Sequence, residues 1–252
     1  MIRNGILENP KVDAALAYHV APGKMPVGLY MYNGDSPMMF SVDGFRITVH
    51  GVGAHGAYHN KSINPINIAV HIYLALEALI TREADPLKSC VMTVGRFQAG
   101  TAANIIPDSA RMEGTIRTND PGSRELLVRR MKETAVSVAQ VYGGTAKIEM
   151  LSQVPPLVCD PRLTQETVKY MQELNIPGAV PCPGIVASAS EDFAKIAERV
   201  PSAFLYLSAG TPDREETFAA HHPKVVFNKD VCPIGTACYA HVADRWLKGH
   251  RD

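Results

Sequence analysis

Apolar and polar residues alternate over residues 45–50. This period of two predicts a half-buried strand. Glycines then interrupt the pattern, and further on Asn64 is followed by Pro65. Asparagine caps helices and proline suits their first turn, so this pair predicts a helix over 65–80. Apolar residues surround that helix, which predicts that more than one of its faces is covered, one of them by a partner subunit.

The patterns predict two kinds of unit along the chain. Residues 41–151 follow the order strand, helix, strand, strand, helix, strand, which is the split βαβ, ferredoxin-like arrangement. Besides those above, its predicted elements are strands at 91–97, 109–117 and 146–151 and a helix at 123–142. On either side, the patterns predict strands at 13–20, 27–32, 178–180 and 203–207 and helices at 163–174, 191–199 and 233–247, with the last turns of a helix at 1–9 and a stiff linker at 152–156.

These elements predict an α/β protein with an inserted unit. Residues 1–40 and 152–252 form the first and second parts of one α/β domain, and the ferredoxin-like unit at 41–151 is inserted between them. A chain of 252 residues is long enough to bury a core in each.

Composition narrows the function classes. Hydrophobic residues make up 46% of the chain, charged residues 20%, and the formal net charge is zero. No basic surface for nucleic acid is indicated, and no apolar run approaches membrane-spanning length. Residues 1–10 lack the apolar core of a signal peptide. The five cysteines form no Cys-x-x-Cys pair, which favours a reducing cytoplasm.

Several imidazoles are candidates for chemistry. His55 lies between glycines where a strand turns towards a helix, either as a functional group or in an ordinary surface loop. His19 ends a predicted core strand, where α/β proteins place ligands, although a hydrogen-bonded structural histidine is the more common role for such a residue. His221 and His222 precede a proline and could include a metal ligand or be solvated side chains.

Two further side chains are candidates for substrate binding. Asn104 has an amide suited to a carboxylate or an amide group, although it could simply form a turn. Arg117 ends a predicted strand and could hold a carboxylate with two hydrogen bonds, or form a surface salt bridge.

Taken together, the motifs resemble the C-terminal two thirds of the aminoacylase-like metallopeptidases. The similar branch includes hippurate hydrolases, N-acetyl-diaminopimelate deacetylases and indole-acetyl-amino-acid hydrolases. The resemblance covers essentially the whole chain, with its motifs in the same order. They are LENPKVDAALAYHV, GVGAHGAYHNKSINPI, GTAANIIPD, GTIRTND, SEDF and AAHHP.

The resemblance implies a fold and a reaction. The fold would be a partial zinc-exopeptidase-like α/β domain with an inserted ferredoxin-like (βαββαβ) lid that forms a homodimer. The reaction would be hydrolysis of a small-molecule N-acyl amino acid by water activated on a divalent metal pair (zinc, manganese, cobalt or nickel). His19 and His221 match metal ligands of the family. His55 matches the lid histidine that stabilises the oxyanion across the dimer, while Asn104 and Arg117 match lid positions that bind the substrate's carboxylate side.

The sequence also departs from the family. No segment matches the family's Gly-Cys-Gly-His-Asp-x-His motif or its paired glutamates, which supply the other ligands and the general base. We therefore expect a fragment or a late-starting reading frame that is inactive alone. Two functions stay open: a metal-dependent amidohydrolase, or a catalytically incomplete chain that acts only as a dimerisation or binding module.

Overall fold

The computed structural model describes residues 1–250. In chain order, the strands are β1 (Ala15–Ala21), β2 (Tyr30–Tyr32), β3 (Val42–His50), β4 (Ala54–His55), β5 (Cys90–Ala99), β6 (Ile105–Ile106), β7 (Ser109–Thr118), β8 (Thr145–Val154), β9 (Pro181–Pro183) and β10 (Ser202–Ser208). The α-helices are α1 (Pro65–Arg82), α2 (Pro121–Val141), α3 (Pro161–Glu173), α4 (Ala194–Ala197) and α5 (Val231–Gly249). Two short 3₁₀ helices cover Ile2–Asn4 and Gly56–Lys61.

The chain folds into two compact units. We call one the split unit, because it consists of Met1–Met38, Leu157–Ala187 and the chain from Asp192 onward. The other, which we call the inserted unit, consists of Met39–Pro156 and Ser188–Glu191. None of the helices within residues 1–250 is both long and apolar enough to cross a bilayer.

The split unit is built on a four-stranded sheet in the order β1-β10-β2-β9. Strands β1 and β10 are parallel, with His19 opposite Tyr206, whereas β10 and β2 are antiparallel. Its main apolar cluster joins β2 and β10 to α3 and α5 through Tyr30, Leu205 and Val242, among others. The carboxyl ends of β1 and β10 therefore lie side by side, where α/β folds place ligands.

The inserted unit confirms the predicted ferredoxin-like arrangement. Its sheet has the order β5-β7-β3-β8, and every neighbouring pair is antiparallel. Helices α1 and α2 share one core with this sheet, formed by side chains such as Ile47, Ile72 and Met131, each fully buried. A small two-stranded sheet, β4 with β6, lies outside the main sheet.

Three helices begin at a residue whose side chain caps the first turn. In each, a side-chain oxygen at the N-cap accepts a backbone N–H of the first turn, and a proline follows in the first turn. The capping residues are Asn64, Asp120 and Asp160. The predicted start of α1 is confirmed, whereas α2 begins two residues before the predicted position because Asp120 caps it.

Four other local predictions were wrong. The strand expected at 178–180 forms instead at Pro181–Pro183, because Gly178 turns the chain with φ +81 and proline is tolerated at a sheet edge. The helix expected at 191–199 is the single turn α4. The linker expected at 152–156 begins later, because β8 continues to Val154. The helical turns expected at 1–9 reduce to Ile2–Asn4, which Gly5 ends with φ +75.

Candidate functional site

His19 is held so that one ring nitrogen is available to a ligand. It is half-buried near the carboxyl end of β1. Its Nδ1 lies 2.9 Å from the carbonyl oxygen of Val20. Because a carbonyl can only accept, Nδ1 carries the proton and donates it, which leaves the lone pair on Nε2. A hydrogen bond of this kind typically orients a metal-binding histidine.

His221 lies beside His19 although the two are far apart in the sequence. It belongs to the loop that connects β10 to α5. The two ring centroids are 5.7 Å apart, with the planes at 73°. The predicted convergence of the two imidazoles is therefore confirmed, and their role as metal ligands stays a prediction.

The pair satisfies part of the donor requirement of a divalent metal. Zinc–nitrogen bonds are about 2.0–2.1 Å and paired metals lie about 3.5–4 Å apart, so rings at this spacing can reach one ion or two neighbouring ions. Within residues 1–250, however, no three His, Cys, Asp or Glu side chains gather in a group that could hold a metal. Metal sites in enzymes usually have at least three protein ligands, so these two donors fit the metal but do not complete its coordination.

Tyr206 is a site residue that the sequence analysis missed. Its ring meets that of His19 edge-on at a centroid distance of 5.5 Å. Phe204, two residues earlier on the same strand, contacts Tyr206 at 5.6 Å. The available signal was a tyrosine in an otherwise apolar core strand at 203–207, because a hydroxyl there needs a polar surrounding.

The inserted unit presents His55 in the opposite tautomer. The backbone N–H of Ala57 donates to His55 Nδ1 at 3.2 Å. An accepting Nδ1 has no proton, so the neutral ring carries its proton on Nε2. The side chain is exposed, and an exposed N–H of this kind can donate a hydrogen bond to an anionic oxygen.

Asn104 is brought next to His55. The neighbouring residue Ile105 pairs with His55 between β4 and β6. The backbone N–H of Gly56 also donates to the carbonyl oxygen of Asn104 at 2.8 Å. A Cβ on Gly56 would lie only 3.3 Å from that oxygen, which explains a glycine at this close approach.

Arg117 does not join His55 and Asn104 within the inserted unit. It lies opposite Val91 near the end of β7, whereas Asn104 precedes the start of that strand. Arg117 lies eight positions after Ser109 along the strand, and at about 3.4 Å per position this corresponds to about 27 Å. Within one chain, Asn104 and Arg117 therefore cannot hold the same carboxylate, and the predicted role of Arg117 stays a prediction.

Comparison with known proteins finds similarity to one group of peptidases and deacetylases. The peptidase dimerisation domain of the M20 peptidases matches residues 39–143. The chain is 29% identical over 245 residues to thermostable carboxypeptidase 2 of Saccharolobus solfataricus, covering 96% of the chain and 60% of that protein. It is 31% identical over 245 residues to the N-acetylcysteine deacetylase of Bacillus subtilis, covering 96% of the chain and 61% of that protein.

A solved structure agrees with these relatives. The YXEP protein of Bacillus subtilis, described as a dinuclear metal binding peptidase of the M20 family, matches with a TM-score of 0.75 and 27% identity, over 98% of the chain and 60% of that protein. The chain thus spans about three fifths of the length of the curated relatives it matches. Through its ferredoxin-like insertion, the order of its motifs and these relatives, the chain is similar over nearly its whole length to the aminoacylase-like metallopeptidases of the M20 family.

Proposed function

We propose that the chain is part of a metal-dependent amidohydrolase that cleaves the amide bond of N-acyl amino acids such as N-acetyl or hippurate-like conjugates. The observation that supports this proposal most directly is the distance of 5.7 Å between the ring centroids of His19 and His221, near the carboxyl end of β1. The names of two relatives, an N-acetylcysteine deacetylase and a carboxypeptidase, support an amide bond beside an amino acid as the substrate.

His19 and His221 would hold a divalent metal pair (zinc, manganese, cobalt or nickel). When bound, such a pair polarises the acyl carbonyl and lowers the pKa of a coordinated water. The Nδ1–H of His19 donates to Val20 O, which fixes the ring and directs Nε2 towards the ligand. The contact with Tyr206 further limits rotation of that ring.

His55 would act on the reacting carbonyl and Asn104 on the substrate's other polar groups. The Nε2–H of His55 can donate to the oxygen that becomes negative as the carbonyl is attacked, and one such donor contributes about 10²–10³ to kcat. The amide of Asn104, placed beside it by the β4–β6 pairing, can bind the carboxylate of the amino acid. Arg117 would hold a carboxylate elsewhere on the inserted unit.

The inserted unit would form the homodimer. Helix α1 leaves Val70, Tyr73 and Leu74 between 36% and 57% exposed, on a helix whose other face is buried. Strand β5 is a ten-residue edge strand next to it, and such edges pair readily with a second chain. The match to a peptidase dimerisation domain supports this interface. The five free thiols support a location in the cytoplasm.

A second function has support from a specific observation. No group of three potential ligands occurs within residues 1–250. For this chain by itself we therefore expect weak metal binding and negligible turnover, because two imidazoles do not hold a catalytic metal firmly. In that case it would act as a dimerisation or binding module.

Zinc titration followed by calorimetry tests the metal site. Losing a residue that only supports a ligand typically costs about 10–100-fold in metal affinity, so His19→Ala and His221→Ala should each weaken binding by at least about 10-fold. His50→Ala, which changes an exposed imidazole at the end of β3, is the matched control. Equal affinity in all four proteins would contradict the proposed site.

Activity assays separate the two functions. Purified chain is incubated with N-acetyl and N-benzoyl amino acids in the presence of each candidate metal. Measurable hydrolysis with stoichiometric metal, abolished by His19→Ala, would show that the chain alone is an amidohydrolase and contradict its expected inactivity. In that event His55→Ala should reduce kcat by about 10²–10³, while His59→Ala, which changes an exposed imidazole of the 3₁₀ helix that follows His55, serves as control.

A further inference from the structure

His221 adopts a backbone conformation that its own side chain disfavours. Its φ is +69, in the left-handed region. The backbone N–H of His222 donates to the carbonyl oxygen of Ala219 at 3.2 Å, which closes a four-residue turn with His221 in the third position. Turns with positive φ at that position usually carry glycine or asparagine. Other contacts of the loop must therefore hold His221 in place.

His222 supplies those contacts from the next position. Its Nδ1 accepts the backbone N–H of Lys224 at 3.1 Å. Its carbonyl oxygen accepts the N–H of Val225 at 3.0 Å, which closes a second turn directly after the first. A side chain that accepts the N–H two residues ahead does what asparagine or aspartate does in an Asx turn.

The ring of His222 is also fixed by Phe218. The two rings are stacked with centroids 4.4 Å apart and planes at 11°. The ammonium group of Lys224 lies 5.7 Å from the centre of the Phe218 ring. His222 is thus held by a hydrogen bond on one atom and by stacking on its face, so it connects both sides of the turn that carries His221.

We propose that His222 is a positioning residue that keeps the His221 imidazole directed at His19. The inference rests on the proposed function, in which these two imidazoles bind the metal. His222 is not assigned to the metal itself, because its Nδ1 accepts the Lys224 N–H, so the neutral ring carries its proton on Nε2 and offers no free lone pair to a metal. In this proposal His221 binds the metal, whereas His222 shapes the turn that carries His221.

Nuclear magnetic resonance of the metal-free chain tests the positioning directly. The variants are His222→Ala, which removes both contacts, and His222→Asn, which can still accept the Lys224 N–H. In wild type and His222→Asn we expect a strong contact between the amide and α protons of His221, the mark of positive φ, and a contact between the His19 and His221 rings. Both signals should be lost in His222→Ala. If His222→Ala keeps them, or His222→Asn loses them, the inference is overturned.

Zinc affinity provides the second measurement. Residues that orient a ligand typically contribute about 10–100-fold to metal affinity, so His222→Ala should bind zinc at least about 10-fold more weakly than wild type, and His222→Asn nearly as well as wild type. Wild-type affinity in a His222→Ala protein that has lost the ring contact would overturn the inference. If wild type itself binds no zinc, the proposed function fails, and the magnetic resonance comparison still decides whether His222 positions His221.

Discussion

The inserted unit and the split unit each combine one main sheet with helices, but their interiors differ. The inserted unit has strands of nine or ten residues in its main sheet and a continuous apolar core beneath α1 and α2. In the split unit, β2 and β9 have only three residues each. The long strands and continuous core of the inserted unit suit a rigid surface for binding another subunit. The short strands of the split unit instead suit side chains that lie at strand ends.

The buried polar groups of the two units also differ in how well they are hydrogen-bonded. The inserted unit buries Asp43 completely but pairs it with Arg124, whose Nε and Nη2 donate at 2.7 and 2.8 Å. In the split unit, the buried hydroxyls of Tyr30, Thr164 and Thr167 have no hydrogen-bond partner among the described residues. Burial also raises the pKa of Tyr30 to about 12. Each unpaired buried group costs about 1–3 kcal/mol, so the split unit should unfold first.

The largest effect is expected for the buried ion pair of the inserted unit. Asp43→Asn removes the carboxylate charge that faces the partly buried guanidinium of Arg124, and breaking a buried pair from one side costs about 3–5 kcal/mol. Hydrogen exchange of the α2 amides should report this loss. The double variant Asp43→Leu with Arg124→Met should recover most of it. If the single variant is as stable as wild type, the ion pair is not what distinguishes this unit.

A smaller effect, confined to the other unit, is expected for Leu205→Ala. Leu205 is fully buried in β10, and removing such a side chain costs about 3 kcal/mol. Trp246, the sole tryptophan, lies in α5 of the split unit, so its fluorescence during urea unfolding reports that unit. Leu76→Ala, which changes a fully buried leucine of α1 in the inserted unit, is the matched control and should leave that transition unchanged. A similar shift in both variants would mean that the units do not unfold separately.

The smallest effect is expected at the helix caps, one in each unit. Asp120→Ala and Asp160→Ala each remove a side chain that accepts an N–H at 2.8 Å, which should cost about 1 kcal/mol in the respective unit. Exchange of α2 amides reports the first variant and Trp246 fluorescence the second. Loss of stability in the wrong unit, or in neither, would contradict this assignment.

The pH dependence of stability tests the contribution of Asp120 further. The backbone N–H of Ser123 and the ammonium of Lys88 hold the pKa of Asp120 below its usual value. The folded pKa is thus lower than the unfolded one, so the stabilisation is complete above about pH 4 and is lost as the pH falls through the folded pKa. Asp120→Asn should keep most of the cap at pH 7 but weaken this dependence, as measured by urea unfolding at pH 7 and pH 3. An unchanged acid dependence would rule out Asp120 as its source.

Much of the fold was predictable because its signals are local. Asn64-Pro65 marked the start of α1, and the period of two marked β3. The pair Asp160-Pro161 is the same kind of signal at the start of α3. The same Asp-Pro signal at residue 120 was present and would have placed the start of α2 correctly. The strand β9 could not be placed from its own residues, because its pairing with β2 comes from a distant segment.

The candidate site was predictable only in part. The approach of His19 to His221 was expected from family resemblance, since no local pattern links residues so far apart. The distance of Arg117 from Asn104 follows from the register of β7, which the motifs do not contain. The tautomers of His19 and His55 depend on single backbone contacts with Val20 and Ala57, and no sequence pattern specifies these.

The pairing of β1 with β10 has a consequence for how the protein is made. His19 and Tyr206 face each other in this sheet, so 187 further residues must be synthesised after His19 before this pair is complete. At about 5–20 residues per second, the ribosome needs roughly 10–40 s for this stretch. During that interval the inserted unit can already fold, whereas the segment Ala15–Ala21 still lacks its partner strand β10. The pairing of β1 with β10 should therefore form after the inserted unit has folded.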